Sequence, residues 1–255
     1  MPKVKVGDIN INYEIHGQGE PLVFIMGAGG SYEPILAVIP MYSEQFRCVV
    51  FDNRGVGKTD APDIPYTTKM MADDLAGLLD IIGISKTHIS GSSMGGMIAQ
   101  QFAIHYPERV NRLILKCTYC GGPKSVPIPE FDSSDVDNII KMAITSQYIA
   151  DNPEMVQNFK SWFSQGTSTV GITHQIEATR SHDTYESLSK ITAPTLIITG
   201  DSDEAVPPEN SKILASQIPN SELVILPNTG HVMFEAGNQP DILSIKFLKG
   251  ESVGR

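Results

Sequence analysis

The chain has 255 residues, of which 41% are hydrophobic, and it carries a formal net charge of −10 with an isoelectric point near 5.0. This length and apolar content predict one domain with a sizeable core. The acidic balance argues against polyanionic partners, so neither nucleic acid nor an anionic membrane surface is an expected partner.

The N-terminus leads directly into an alternating pattern, without the apolar run and small-residue cleavage site of a signal peptide. No apolar window approaches membrane-spanning length. The three cysteines form no even disulfide framework, and the single C-x-x-C of Cys117 and Cys120 follows a strand-like run. We interpret these two residues as incidental thiols rather than a metal or redox site, and the sequence predicts a cytoplasmic protein.

The first part of the chain predicts alternating strands and helices. Residues 4–15 alternate on a two-residue period around a Gly-Asp turn, which predicts an antiparallel hairpin. Two near-continuous apolar runs, residues 22–25 and 47–51, suit strands buried on both faces. A helix from Thr67 or Thr68 to about residue 82 then leads to another strand at residues 87–90.

The motif at residues 89–96, Ile-Ser-Gly-Ser-Ser-Met-Gly-Gly, joins that strand to a helix. A turn this tight leaves no room for side chains at Gly91 and Gly95, and it projects Ser93 from its apex. The amide of Met94 is then at the N-terminus of the new helix, where free N–H groups and the helix dipole favour an anion.

A second glycine-rich loop, residues 26–31, follows the strand of residues 22–25. In open α/β sheets, ligands bind at this C-terminal end of the strands. The glycines allow backbone amides to approach a substrate closely, so this loop is a candidate part of the site.

The second part of the chain contains a long helical stretch between strands. A strand is predicted at residues 113–117, and residues 131–188 then show helical patterns without buried-strand runs. Strand patterns return at residues 191–199 and 222–226, and a helix at about 240–248 ends the chain. The expected fold class is α/β, with a mostly parallel central sheet, an N-terminal antiparallel hairpin and a helical insertion.

Together these motifs resemble the α/β-hydrolase family over nearly the whole chain. Residues 91–95 match its nucleophile elbow, G-x-S-x-G, and residues 52–59 are similar to a turn with a mainly structural role in that family. The resemblance implies one domain over residues 1–255. Its core would comprise residues 1–122 and 189–255, and a helical cap would span about 123–188.

The resemblance implies a catalytic triad in the family's chain order. Ser93 would be the nucleophile, Asp203 the orienting acid and His231 the base that removes the serine proton. Asp203 is the fourth residue of a G-x-x-D pattern, and Asp201 is the alternative acid. His231 follows a glycine after the last predicted strand, a context that the other five histidines lack.

The resemblance also implies an oxyanion hole formed by the backbone amides of Ala28 and Met94. Met26 stands where the family commonly has histidine. Some Met and aromatic side chains of the cap should roof an adaptable apolar pocket. The residues expected to line this pocket are Gly27, Met142, Trp162 and Phe163.

The implied function is that of a serine carboxylesterase acting on small to medium esters, without a metal or an organic cofactor. Similarity to 3-oxoadipate enol-lactonases and cofactor-free haloperoxidases leaves lactone hydrolysis or perhydrolysis as alternatives. A non-catalytic receptor for small molecules is an alternative of a different class, because fold does not decide function. A lactonase for an acidic substrate would need a cation in the cap, for which Lys141, Lys160 and Arg180 are candidates. The sequence leaves a homodimer open.

Overall fold

The structure is a computed structural model that describes residues 3–130, 135–164 and 168–253, with only the backbone of residues 163 and 164. Within these ranges the strands are β1 (Lys3–Val6), β2 (Ile9–His16), β3 (Glu20–Ile25), β4 (Phe46–Phe51), β5 (Thr87–Ser92), β6 (Val110–Lys116), β7 (Thr195–Gly200) and β8 (Ser221–Leu226). They form one sheet in the order β1-β2-β4-β3-β5-β6-β7-β8.

The pairing of the strands follows the predicted architecture. β1 and β2 form an antiparallel hairpin, and β2 is also antiparallel to β4. Every other pairing, from β4 through β3 and β5 to β8, is parallel. The expected α/β fold with a mostly parallel sheet and an N-terminal hairpin is therefore confirmed.

Helices cover both faces of the sheet. In the described ranges they are α1 (Ile39–Ser43), α2 (Thr68–Ile81), α3 (Met94–His105), α4 (Val136–Ala143), α5 (Ser146–Asp151), α6 (Pro153–Ser164), α7 (Thr169–Arg180), α8 (Glu209–Gln217) and α9 (Gln239–Leu248). One buried cluster packs α2, α3 and α8 on the sheet, and a second packs α1 and α9 on it. The catalytic candidates lie at the C-terminal ends of strands sandwiched between these two layers.

One strand begins later than the sequence predicts. The run starting at residue 191 was expected to be a strand throughout, but β7 begins at Thr195. Ile191 instead closes a short 3-10 helix, Tyr185–Lys190. Pro194 has no N–H to donate to a strand ladder, so pairing with β6 and β8 starts immediately after it.

The helical insertion between β6 and β7 contains α4 to α7. Its two ends meet where Gly121 pairs with Asp183 in an isolated antiparallel bridge. The helix α7 also lies directly on the core: a Cβ placed on Gly171 would be 1.9 Å from the carbonyl oxygen of Gly55. The division of the chain at residues 123 and 188 stays a prediction.

Helix length bears on whether the chain could cross a bilayer. Across the three described ranges, no helix is both long enough and apolar enough to do so. The cytoplasmic location stays a prediction.

A buried ion pair ties the turn after β4 to α2. The Arg54 guanidinium donates to both oxygens of Asp74, from Nε at 2.6 Å and from one Nη at 2.7 Å. The two side chains are 3% and 9% exposed. Burial raises the pKa of Asp74, which the hydrogen bonds and charge of Arg54 offset only in part. Removing Arg54 would therefore leave a poorly solvated carboxylate.

We expect Arg54→Met to lower the free energy of unfolding by about 3–5 kcal/mol, because breaking one side of a buried pair leaves the partner uncompensated. Urea unfolding followed by circular dichroism measures the loss. The matched control is Arg180→Met, which removes an exposed ion pair with Glu177 and should cost less than about 1 kcal/mol. Equal losses in the two variants would contradict the structural role of Arg54.

Candidate active site

Ser93 occupies a strained turn between β5 and α3. Its φ of 55° and ψ of −122° lie in a region that side-chain-bearing residues rarely adopt, at a cost of about 1–3 kcal/mol. A Cβ on Gly91 would be 2.3 Å from the carbonyl oxygen of Gly95, and a Cβ on Gly95 would be 2.1 Å from that of Ile25. Close backbone contacts thus require glycine at both positions, as the sequence predicts.

The main chain of Ser93 is held by the neighbouring strand. Its N–H donates to the carbonyl oxygen of Lys116 at 2.9 Å, and its carbonyl oxygen accepts from Thr118 Oγ1 at 2.8 Å. Thr118 is fully buried. Sequence reasoning missed Thr118, because a threonine after an apolar strand is ordinary and its partner is 25 residues away.

Two backbone N–H groups beside Ser93 donate to no acceptor among the described residues, namely those of Ala28 and Met94. Met94 is the first residue of α3, so its amide belongs to the unpaired end of the helix. Ala28 lines the same cavity as Ser93, and a Cβ on Gly27 would be 3.3 Å from that of Ser93. An anion at Ser93 would meet donors from both segments.

The loop that carries Ala28 is fixed by a residue of the insertion. Gln175 is fully buried in α7; its Oε1 accepts from the N–H of Gly29 at 2.8 Å, and its Nε2 donates to the carbonyl oxygen of Arg54 at 2.8 Å. Sequence reasoning missed Gln175. The sequence signal that could have identified it is its position four residues after Gly171, which places the two residues on the same face of α7.

A second group of side chains comes from the loops after β7 and β8. His231 Nδ1 lies 2.8 Å from Asp203 Oδ2, and the Asp203 side chain is 0% exposed. Asp203 Oδ1 accepts from the backbone N–H groups of Ala205 and Val206 at 3.0 and 2.8 Å. Because a carboxylate only accepts, Nδ1 carries the proton and Nε2 is the basic nitrogen.

The choice between the two candidate acids follows from these contacts. Asp201 is exposed and accepts from Ser202 Oγ at 2.8 Å, whereas Asp203 bonds His231. Burial opposes protonation of His231, but the charge of Asp203 and its hydrogen bond outweigh burial and raise the pKa of His231 above its usual 6.5.

A cysteine lies beside this acid–imidazole pair. The sulfur of Cys117, a nitrogen of His231 and a carboxylate oxygen of Asp203 lie within 4.8 Å of one another. Burial and the charge of Asp203 raise the pKa of the Cys117 thiol well above its usual range, so the group is neutral. A metal ion requires the thiolate, so this donor set suits a hydrogen bond to Asp203 better than a metal. The absence of a metal or redox role for Cys117 stays a prediction, and the structure adds that its thiol lies beside Asp203 and His231.

Ser93 and His231 line the same cavity, but no hydrogen bond joins their side chains in the described structure. Such bonds between a nucleophile and its base often tighten only when substrate is present. The structure thus pairs Asp203 with His231 directly and brings Ser93 to the same cavity wall.

The cavity has a volume of about 540 Å³ and is lined mainly by apolar side chains. Of the expected pocket residues, Gly27, Met142 and Trp162 line it, while the side chain of Phe163 lies outside the described residues. Tyr148, Met155 and Phe159 also line it, and they belong to the Met and aromatic side chains of the insertion from which a roof over the pocket is expected. Sequence reasoning missed other lining residues, because local pattern does not show which loop side chains face a cavity. These are Tyr119, Ile128, Val206, Met233 and Phe234.

The cations of the insertion lie away from this cavity. Lys141 and Arg180 are exposed, and Lys160 pairs with Asp137. Among the described residues, the one lysine or arginine that lines the cavity is Lys116, at the end of β6.

Comparison with known proteins extends over most of the chain. A family model described as the alpha/beta hydrolase fold matches residues 20–140 and 141–237. A Mycobacterium tuberculosis protein provisionally named non-heme bromoperoxidase BpoC is 27% identical, over 94% of this chain and 97% of the relative. The poly(3-hydroxyalkanoate) depolymerase of Ectopseudomonas oleovorans is 30% identical, over 91% and 85%.

A solved structure is similar to this chain in its backbone fold. The crystal structure of the enol-lactonase from Burkholderia xenovorans LB400 is similar with a TM-score of 0.90, over 97% of this chain and 100% of that chain, at 24% identity. The names of these proteins refer to different reactions, so the likeness extends to the fold and not to one substrate.

We expect Asp203→Asn to lower the pKa of the His231 imidazole from above 6.5 to below it, because the opposing effect of burial remains once the charge is removed. An NMR titration of the histidine ring signals in both proteins measures the change. Asp201→Asn is the matched control and should leave this pKa unaltered. The same value in the parent protein and Asp203→Asn would show that the pair does not control the imidazole.

Proposed function

Because the chain belongs to the α/β-hydrolase fold family, we propose that it is a serine carboxylesterase that cleaves small to medium esters through an acyl-enzyme. One observation carries this proposal: the strained Ser93 shares a cavity with His231, whose ring is bonded to the buried Asp203. A serine hydroxyl needs such a base, held in one tautomer, to become a nucleophile.

In the proposed reaction, Ser93 Oγ attacks the ester carbonyl carbon while His231 Nε2 removes the hydroxyl proton. Asp203 stabilises the imidazolium that forms, and it keeps Nδ1 protonated. His231 then gives its proton to the leaving alcohol, which leaves the acyl group on Ser93. Water activated by the same nitrogen attacks that acyl group and releases the acid.

The carbonyl oxygen becomes negative in both steps. In the proposal it accepts from the N–H groups of Ala28 and Met94, which have no acceptor among the described residues. These dipoles are fixed before the reaction, by α3 on one side and by the contact of Gln175 with Gly29 on the other. Losing one such donor typically costs about 3 kcal/mol of transition-state stabilisation.

The lining supports a substrate with an apolar portion. Each methylene buried in such a cavity contributes about 0.8 kcal/mol, so affinity should increase with chain length until the space is filled. A lactone is an internal ester, and perhydrolysis replaces water with hydrogen peroxide, so both alternatives would use the same acyl-enzyme. Lys116, the one lysine or arginine among the described residues that lines the cavity, is paired with Asp241, so this part of the lining favours a neutral ester or lactone over an acidic lactone.

We expect Ser93→Ala to lower turnover of p-nitrophenyl acyl esters by about a million-fold, the loss found when triad nucleophiles are removed. Initial rates measured at saturating ester test this. Ser216→Ala, an exposed serine of α8, is the control and should keep full activity. Retention of most activity by Ser93→Ala would refute the esterase mechanism.

A fluorophosphonate probe separates the esterase from a non-catalytic receptor. We expect covalent labelling of the parent protein at Ser93, because the activated hydroxyl attacks phosphorus as it attacks a carbonyl. Intact-mass and peptide mass spectrometry measure the label. No labelling of the folded protein would favour the receptor.

We expect Gln175→Leu to lower kcat by about 10- to 100-fold, with a smaller change in KM, because it frees the loop that carries the Ala28 amide. A small displacement of a group near the reacting atoms can have an effect of this size. Gln175→Glu keeps an acceptor for Gly29 and should retain more activity than Gln175→Leu. The matched control is Gln147→Leu, the same change at an exposed position of α5. Equal kcat in the parent protein and Gln175→Leu would rule out a positioning role.

A further inference from the structure

One part of the cavity wall is polar and belongs to the core. Lys116 Nζ lies 3.4 Å from Asp241 Oδ1, which is in the first turn of α9. The hydroxyl of Tyr42 donates to the same oxygen at 2.7 Å. Lys116 and Asp241 line the cavity that Ser93 lines, so a charged pair is present within an otherwise largely apolar substrate site.

The backbone connects this pair closely to the nucleophile. The carbonyl oxygen of Lys116 accepts the N–H of Ser93, so the two residues are direct neighbours across β5 and β6. Lys116 and Ser93 both line the cavity. The same cavity is lined by apolar side chains that include Phe24, Ile35, Val38, Met233 and Pro240.

The pair has hydrogen-bonding capacity that the protein does not use. An ammonium has three N–H donors, and among the described residues Asp241 is the one hydrogen-bond partner of Lys116 Nζ. Likewise, Asp241 Oδ2 accepts no hydrogen bond from the described residues, since Lys116 and Tyr42 both use Oδ1. The side chains are 12% and 13% exposed.

A purely structural role for Lys116 and Asp241 explains these contacts less well. Replacing a buried ion pair by apolar residues of similar volume is often neutral or stabilising, so packing alone does not call for charges here. A pair kept for stability would also be expected to make short hydrogen bonds, as Arg54 and Asp74 do. The single 3.4 Å contact instead leaves two ammonium donors and Asp241 Oδ2 without a hydrogen-bond partner among the described residues.

The chemistry of the pair selects the kind of group that it would bind. A carboxylate would approach Lys116 only beside the like charge of Asp241, and a methyl group would leave both polar groups without partners. A hydroxyl can accept from Lys116 and donate to Asp241 at the same time. The pair is electrically neutral as a whole, so it suits a neutral ligand group.

We propose that Lys116 and Asp241 form a subsite for a hydroxyl group at the far end of the substrate chain, so that the preferred esters have an apolar chain ending in a hydroxyl. This specificity rests on the proposed esterase function. The apolar wall holds the chain, and the pair recognises its end. Lys116 and Asp241 thereby determine specificity, and Ser93 performs the reaction.

The test measures binding, so that it does not depend on turnover. Isothermal titration calorimetry on the Ser93→Ala protein compares methyl ω-hydroxyalkanoates of graded length with methyl alkanoates and ω-carboxyalkanoates of matched size. The best hydroxy ester should bind about tenfold tighter than its alkyl match, the effect of one hydrogen-bonding group. The ω-carboxy ester should bind no tighter than the alkyl ester.

Variants then assign the preference to the pair. Lys116→Met, added to Ser93→Ala, should abolish the tenfold preference, and thermal unfolding checks that this protein is folded. Lys141→Met makes the same change at an exposed lysine of α4 and should leave the preference intact. The ligand comparison in Ser93→Ala needs no change at the pair, so it stands even where Lys116→Met does not fold.

Several outcomes would overturn the proposal. These are equal binding of hydroxy and alkyl esters at every length, tightest binding of the carboxylate, failure of all esters to bind, or a preference that survives Lys116→Met. Turnover of simple alkyl esters by the unmodified protein tests the esterase function separately. Turnover without a hydroxyl preference would reject the subsite and keep the esterase.

Discussion

The close backbone contact between the turn at Ser93 and the end of β3 is the constraint on which the site depends. Gly95 touches the carbonyl oxygen of Ile25, so the loop that begins at Met26 must start beside the nucleophile. On the other side, Ser93 is held by the carbonyl oxygen of Lys116, at the end of β6, and by the hydroxyl of Thr118, two residues beyond it. Contacts from both adjacent strands therefore offset the cost of the strained φ at Ser93. The same contacts place the hydroxyl of Ser93 beside the amides of Ala28 and Met94, which donate to no acceptor in the described part of the chain.

The helical insertion both covers the candidate site and helps to hold its loops in place. The close approach of Gly171 to Gly55 lets α7 lie on the core with no side chain between their backbones. One turn further along the helix, Gln175 joins the glycine-rich loop to the turn after β4. The aromatic rings of Phe159 and Phe234, whose centroids are 5.5 Å apart, connect the insertion to the segment after His231. The insertion therefore both lines the cavity and, through Gln175, holds the loop that carries the Ala28 amide.

The parts of the fold and site that sequence predicts are those encoded by short-range pattern. Alternation, apolar runs and glycine turns predict the hairpin, the parallel strands and the sharp turn at Ser93, because their causes lie within a few residues. The contacts of Gln175 and Cys117 depend on partners 146 and 86 residues away, respectively, and no local pattern encodes such distances. The predicted start of β7 at residue 191 is too early, because it was based on the strand-like composition of the run. Pro194 within that run has no N–H to donate to a neighbouring strand, so pairing begins only after it. The sequence also leaves open whether Lys141, Lys160 and Arg180 face the cavity, since charge in a sequence carries no direction, and none of these three residues lines it.

Two acid–base pairs reach the cavity, one through His231 and the other through both Lys116 and Asp241, and their contacts suit different tasks. Asp203 is fully buried and bonded by two backbone amides, so it can neither turn nor exchange His231 for another partner. Asp241 holds Lys116 by one long contact and keeps an oxygen that the described residues do not use. A rigid pair stabilises the charge that develops on the imidazole without reorganising, which is what an acyl transfer requires. A loosely bonded pair can admit a third group, which is what recognition of a substrate chain requires. Lys116 and Ser93 line the same cavity and are joined by a backbone hydrogen bond. A substrate whose hydroxyl end is bound at Lys116 would place its ester carbonyl at Ser93 only if the chain between the two groups had the right length. The subsite would therefore select substrates by length as well as by polarity.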